Sequence, residues 1–387
     1  MKSRLNYFVS SALLISGSLL WGDRPTGTTP EVVTARPQIE VAFVLDTTGS
    51  MGGLIAGAKE KIWSIANEIS SASERPQVKF GLIGYRDRKD DYVTQVYDLS
   101  EDLDAIYAHL MEFQAGGGGD QPESVNQALW EGVNQLSWSS HPDTLRLLFL
   151  VGDAPPHMDY EDDVLYSESC QKAVADGIIV NTIQCGSIDG TRQIWEEIAN
   201  LSQGEYVAIQ QSGGMESIRT PMDDEIAELN RQMADTVIVY GDSDRQRVGS
   251  SKVANARGAS AETAADRYDY LERSADSTTF APAAISGEED LVAELAKDSI
   301  KIEELEPALL PSNLQDLPES ERIEYIEQKT KLRNEIQGEL SDLLSARREY
   351  LEAENEKLKE AGYEDSFDSQ VKAMVRKQGA GKGLTYE

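Results

Sequence analysis

The chain has 387 residues, enough for one large domain with a smaller region or for two domains. Acidic residues outnumber basic ones by 68 to 36, giving a formal charge of −32. A nucleic-acid duplex or an anionic membrane surface needs concentrated Lys and Arg, so this balance argues against both as partners.

Lys2 and Arg4 precede a short apolar stretch, Tyr7 to Trp21, that contains no acid. This pattern reads as an export signal or N-terminal anchor over residues 1–22. It makes the expected location periplasmic or secreted, with the membrane contacted only through that anchor. Residues 23–37 are rich in Pro, Thr and Gly and read as a tether.

From Gln38 strands and helices alternate. The run Val41 to Leu45 is continuously apolar, and a helix is predicted over 52–69 from the spacing of Leu54, Ala58, Ile62, Ile65, Ala66 and Ile69. Val78–Tyr85 and Tyr92–Leu99 read as strands joined by the polar turn 86–91, so the later one is expected as an antiparallel edge. Helical spacing recurs over 103–113 and 125–136, and Leu145–Val151 has the unbroken apolar character of a central parallel strand. A helix over 164–176, a strand over 178–184, a helix over 192–201 and a strand over 206–209 follow. The acidic run 160–163 suits the positive start of the helix over 164–176. Thr220 and Pro221 are placed to cap the next helix, and Thr236–Tyr240 reads as a short strand-like exit. The expected fold class is therefore α/β: a doubly wound, mostly parallel sheet with one antiparallel edge strand.

Beyond Gly241 the composition shifts to Ala, Ser, Asp and Arg. Residues 241–317 read as linker with short helices, among them 261–274 and 291–305. Residues 318–387 form one long helix (318–361) and a loose tail from Gln378. The long helix carries an irregular apolar stripe, which suits docking on a partner or on the protein's own body better than a coiled coil.

Chemistry concentrates at strand ends. Asp46, Thr48 and Ser50 alternate directly after the first apolar run, so their oxygens can converge above the strand. Hard oxygens with little charge suit Mg²⁺ or Mn²⁺. Asp153 ends a second central strand, and the loop Gly116-Gly117-Gly118-Gly119-Asp120-Gln121-Pro122-Glu123 precedes a helix. Glycines there let backbone approach a ligand. A phosphate-binding loop is not formed, because Ala58 separates Gly57 from Lys59. An aspartyl nucleophile of the dehalogenase type would want a second acid where Thr48 stands. Simple helix capping by Ser50 or Thr48 is the bland alternative. His157 follows two prolines near the acids and reads as a satisfied residue. Arg86 and Asp87 lie at the same edge as the site, though a solvated hairpin turn explains them equally well. Cys170 and Cys185 are the sole cysteines; they climb a helix and a strand at different rates, which leaves a disulfide open.

The Asp-x-Thr-Gly-Ser signature resembles the metal-ion-dependent adhesion site of von Willebrand factor A domains, and the element order over 38–240 is similar to theirs. The Gly-Gly-Asp-x-Pro-Glu loop is similar to that of the A domains linked to alpha-kinases. The resemblance implies a site of Asp46, Thr48, Ser50, Asp120 and Asp153 holding Mg²⁺ or Mn²⁺. Asp120 stands where most members place a threonine, which adds negative charge. The implied work is binding of a protein partner whose acidic side chain completes the coordination, with no catalysis. A metal-dependent, phosphatase-like hydrolase using the same carboxylates is one alternative, and a scaffold with a non-binding site is another.

Overall fold

The computed structural model describes residues 36–73, 75–119, 121–215, 218–274, 287–297, 300–301, 305–360 and 366–386. The expected signal, nearly all of the tether, and Asp120 lie outside these residues. The described part from Arg36 onward forms one compact unit, crossing the compositional boundaries at 240 and 317. Among the described residues no helix is long and apolar enough to cross a membrane.

The first apolar run forms β1 (Gln38–Asp46), buried along almost its whole length. It sits at the centre of a six-stranded sheet with β2 (Gln77–Tyr85), β3 (Thr94–Ser100), β4 (Leu145–Gly152), β5 (Ile178–Cys185) and β6 (Tyr206–Ile209), in the order β3-β2-β1-β4-β5-β6. All pairs are parallel except β2 with β3, which is the antiparallel edge expected from the polar turn. Strand order reverses between β2 and β4 on either side of β1. Ligands of open α/β sheets bind at such a switch point.

Period-two alternation divides β1 between two cores. Ile39, Val41, Phe43 and Leu45 face α1 (Gly52–Ser70) and α2 (Leu103–Glu112), while Ala42 and Val44 face α3 (Val125–Asn134), α4 (Tyr166–Ala175) and α5 (Thr191–Leu201). Each fully buried Val, Leu, Ile or Phe contributes roughly 1.5–3 kcal/mol relative to exposure. The two cysteines are free and buried, Cys170 in the second core and Cys185 in the first.

After β6 the chain forms α6 (Asp223–Ala234), α7 (Ser243–Gly258), α8 (Ala261–Ser274), α9 (Leu291–Ala296), α10 (Ser312–Gln315), α11 (Glu319–Glu360) and α12 (Phe367–Ala380). The long helix α11 docks on the protein itself: Ile336, Leu340 and Leu344 share a core with Ile226, Met233, Ala264 and Tyr268. Salt bridges join this helical region to the sheet layer. Arg267 of α8 is bidentate to Asp104 of α2 at 2.7 Å, and Lys61 of α1 pairs with Glu262. Arg333 and Asp290 pair at 2.8 Å with neither side chain exposed.

Several local expectations are corrected. Thr220 does not cap α6; its N–H and hydroxyl donate to Asp223, so the helix starts at Asp223 with a satisfied carboxylate in its first turn. Residues 236–240 form no strand, only an isolated bridge between Val239 and Asp290, because Arg333 and the α9 turn take up their polar groups. The helix expected over 291–305 ends at Ala296. Helix α7 was read as linker, since its small and charged residues carry no apolar stripe. The tail from Gln378 is not loose: α12 runs on to Ala380, Leu384 enters the first core and Tyr386 bridges to Ala72; just ahead of it Val371, Met374 and Val375 enter the same core, and Phe367 lies 6.1 Å from Phe43 centroid to centroid.

Candidate metal centre and its surroundings

Asp46 closes β1 with its side chain fully buried. The chain turns there through a self-bonded acid: the Thr48 N–H donates to Asp46 Oδ1 at 2.8 Å, and the Thr48 hydroxyl donates to the same oxygen at 2.6 Å. Ser50 Oγ lies 3.3 Å from Thr48 Oγ1 and is exposed, in the middle of the 3₁₀ turn (Gly49–Met51) that leads into α1. Thr47 points the other way, its hydroxyl donating to the Tyr85 carbonyl and meeting the Tyr92 hydroxyl at 2.7 Å. Alternation after the strand thus sorts the hydroxyls into one anchor (Thr47) and two on the Asp46 side of the turn (Thr48 and Ser50).

Asp153 follows β4 and is also buried. Gly152, beside Asp46, must lack a side chain: a Cβ there would stand 2.5 Å from Tyr85 Oη and 3.1 Å from Asp46 Oδ2. Asp46 Oδ2 has no hydrogen-bond partner among the described residues. Burial pushes the Asp46 carboxyl up to about 7 against the Thr48 hydrogen bonds; the nearby Asp153 charge adds to the rise and the Asp153 backbone N–H opposes it. A buried acid that lacks a partner on one oxygen is short of positive charge. Among the described residues no group of three or more His, Cys, Asp or Glu is gathered for a metal. The centre is two acids among hydroxyls, a donor set that fits a hard dication keeping several waters.

The glycine loop is stitched onto the turn after β1. Gly116 N–H donates to the Thr47 carbonyl at 3.1 Å, and Gly118 N–H donates to Asp90 Oδ2 at 3.1 Å. Gly117 and Gly118 have φ of +77° and +78°; a Cβ on Gly118 would stand 3.2 Å from Thr48 Cβ and 3.3 Å from Glu123 Oε1. Asp120 belongs to this loop but lies outside the described residues, so its side chain is not placed. Glu123 is buried, its carboxyl pushed up to about 9 by burial first and then by Asp46, Asp87, Asp90 and Asp153.

Arg86 and Asp87 were open between two readings, and Gln211 escaped the sequence reading. Arg86 and Asp87 are not a solvated turn. Arg86 is buried, donating to the carbonyls of Thr47 (3.2 Å) and Gln114 (2.7 Å), and Asp87 accepts from Ser124 and Tyr160. They hold the first loop to the second. Gln211, after β6, donates its amide to Asp153 Oδ2 at 2.7 Å. No motif marks it; only its place directly past a strand end could have. The acidic run 160–163 does not start a helix: Asp162 and Asp163 pair with Arg88, and α4 begins at Tyr166. His157 is buried, with Nδ1 2.8 Å from Asp159 Oδ1, Nε2 3.5 Å from Asp87 Oδ2, and its ring stacked on Tyr160. Lys59, the near-match to a phosphate-loop lysine, donates to the carbonyls of Met111 and Phe113 at the end of α2.

A family model of the von Willebrand factor A domain matches residues 40–221, the sheet with the three loops just described. This chain carries a von Willebrand factor A domain. Such A domains commonly mediate protein interactions. Over 186 residues the chain is 31% identical to von Willebrand factor A domain-containing protein 7 of Mus musculus, covering 48% of this chain and 19% of the relative. It is 26% identical over 130 residues to the alpha-protein kinase vwkA of Dictyostelium discoideum, covering 33% of this chain and 20% of the kinase. The chain thus spans a fifth or less of the length of these curated relatives. Among solved structures, the SpRpn10 VWA domain aligns with a TM-score of 0.35 at 14% identity, over 46% of this chain and 89% of that one.

Proposed function

We propose that the A domain binds Mg²⁺ or Mn²⁺ through Asp46, Thr48, Ser50 and Asp153, with Asp120 as a further ligand from the glycine loop. The cation then holds an acidic side chain of a protein partner, and no bond is broken. One observation carries this reading: Asp46 Oδ2 is buried without a hydrogen-bond partner beside hydroxyls and a second acid. A dication there supplies the missing charge, and its remaining positions are open to water or to a partner's carboxylate. The protein would act outside the cytoplasm, in the periplasm or secreted, with its C-terminal helices as scaffold.

The test is calorimetric titration of Mg²⁺ and Mn²⁺ into the EDTA-stripped full chain and into Asp46→Ala. Saturable one-site binding that vanishes in the variant is expected. Silence in both proteins would sink the reading. Turnover of a phosphate ester by the metal-loaded protein, lost in Asp46→Ala, would replace adhesion with hydrolysis.

A further inference from the structure

Gln211 reaches from the end of β6 back across the centre. Its Nε2–H donates to Asp153 Oδ2 at 2.7 Å and lies 3.4 Å from the Ser50 carbonyl, so one amide touches both the turn after β1 and the acid after β4. The amide nitrogen donates and the carboxylate oxygen accepts, which puts Nε2 rather than Oε1 toward Asp153. The approach is built into the backbone. At Gly186, where φ is +72°, a Cβ would stand 2.1 Å from Gln211 Oε1, and at Gly53 one would stand 3.0 Å from Ser212 Cβ. Backbone bonds from Gly186 N–H to Ile209 and from Gly213 N–H to Gln210 fix the segment on either side.

A carboxylate can grip a cation with one oxygen or with both. Ca²⁺ takes six to eight oxygens at about 2.3–2.6 Å and accepts the two-oxygen grip, whereas Mg²⁺ demands near-octahedral geometry at about 2.0–2.1 Å. We propose that Gln211 sets the cation preference of the centre: by holding Asp153 Oδ2 it confines Asp153 to a single-oxygen or water-mediated contact, favouring Mg²⁺ or Mn²⁺ over Ca²⁺. This rests on the cation reading above and adds to it a residue that selects the ion. Gln211 is thus a positioning residue, acting on the cation through Asp153.

The experiment titrates MgCl₂ and CaCl₂ separately into the EDTA-stripped full chain, wild type and Gln211→Met, a variant of similar length without a donor. Gln211→Ala repeats the test with no side chain in reach. Residues that orient a metal ligand typically change affinity by about 10–100-fold when replaced. The ratio of Ca²⁺ to Mg²⁺ affinity is therefore expected to move toward Ca²⁺ by about tenfold or more in both variants. Their melting temperature in EDTA should stay that of the wild type, because Gln211 is exposed. An unchanged ratio, or equal weakening for both ions, overturns the role of Gln211 while leaving the cation site standing. Absence of any binding by the wild type is a different result, and removes the site and the selector together.

Discussion

At the scale of single residues, the centre is defined by acids kept from water. Asp46 rises to about 7 and Glu123 to about 9, chiefly through burial. An acid whose folded pKa lies above its unfolded value holds extra protons in the native state, so the contribution of these two groups to metal-free stability is full below about 4 and is lost as pH rises through about 7 and then about 9. Melting temperature in EDTA is expected to drop between pH 5 and pH 9, with a shallower drop in Glu123→Gln. A profile of equal slope in both proteins would count against the burial account. Under the proposed cation reading, Mg²⁺ would compete with the proton on Asp46, and its affinity is expected to climb as pH passes through about 7.

Much of this was legible in the residues. Asp46, Thr48 and Ser50 announce themselves by alternating after an apolar run, and Asp153 by ending a second one. Gln211, Arg86 and Asp87 did not, because their roles depend on which strand ends meet in space. A glutamine past a four-residue strand carries no local mark, and an Arg-Asp pair in a polar hairpin is indistinguishable from a solvated turn until its burial is seen.

At the scale of elements, strands and amphipathic helices were readable because their periodicity is local. Helix α1 runs to within one residue of the expected end, and α8 matches its expected bounds. What failed were elements with no periodic stripe or with distant partners. Helix α7 has none, and α12 escapes notice until Phe367, Val371 and Met374 are seen to join the first core, Phe367 beside Phe43 of β1. Phe367 packs beside Phe43 with almost no exposure, and α12 is further held by paired hydrogen bonds between the Gln378 and Asn181 side-chain amides. Phe367→Ala should cost about 3–5 kcal/mol in urea unfolding. A loss below about 1 kcal/mol would mean that α12 contributes little to the core.

At the scale of the whole molecule, charged pairs sit in the joints. Arg333 with Asp290, Arg347 with Asp266, and Arg267 with Asp104 are buried between elements far apart in sequence. Buried pairs add little net stability over apolar substitutes, yet breaking one leaves an unpaired buried charge. Arg333→Met is therefore expected to destabilise by about 3–5 kcal/mol, and the double replacement Arg333→Met with Asp290→Leu to recover most of that. Strictly additive losses in a double-mutant cycle would show that the pair is not coupled.

The place of α12 has a consequence for how the protein comes into being. All six strands have been made once Ile209 has been synthesised, but the helix that closes the first core begins at Phe367, about 160 residues later. At roughly 5–20 residues per second, the segment that covers the apolar face beside Phe43 follows on the order of 10–30 s after the last strand in synthesis. A chain that ends anywhere in α11 lacks the residues that close its first core.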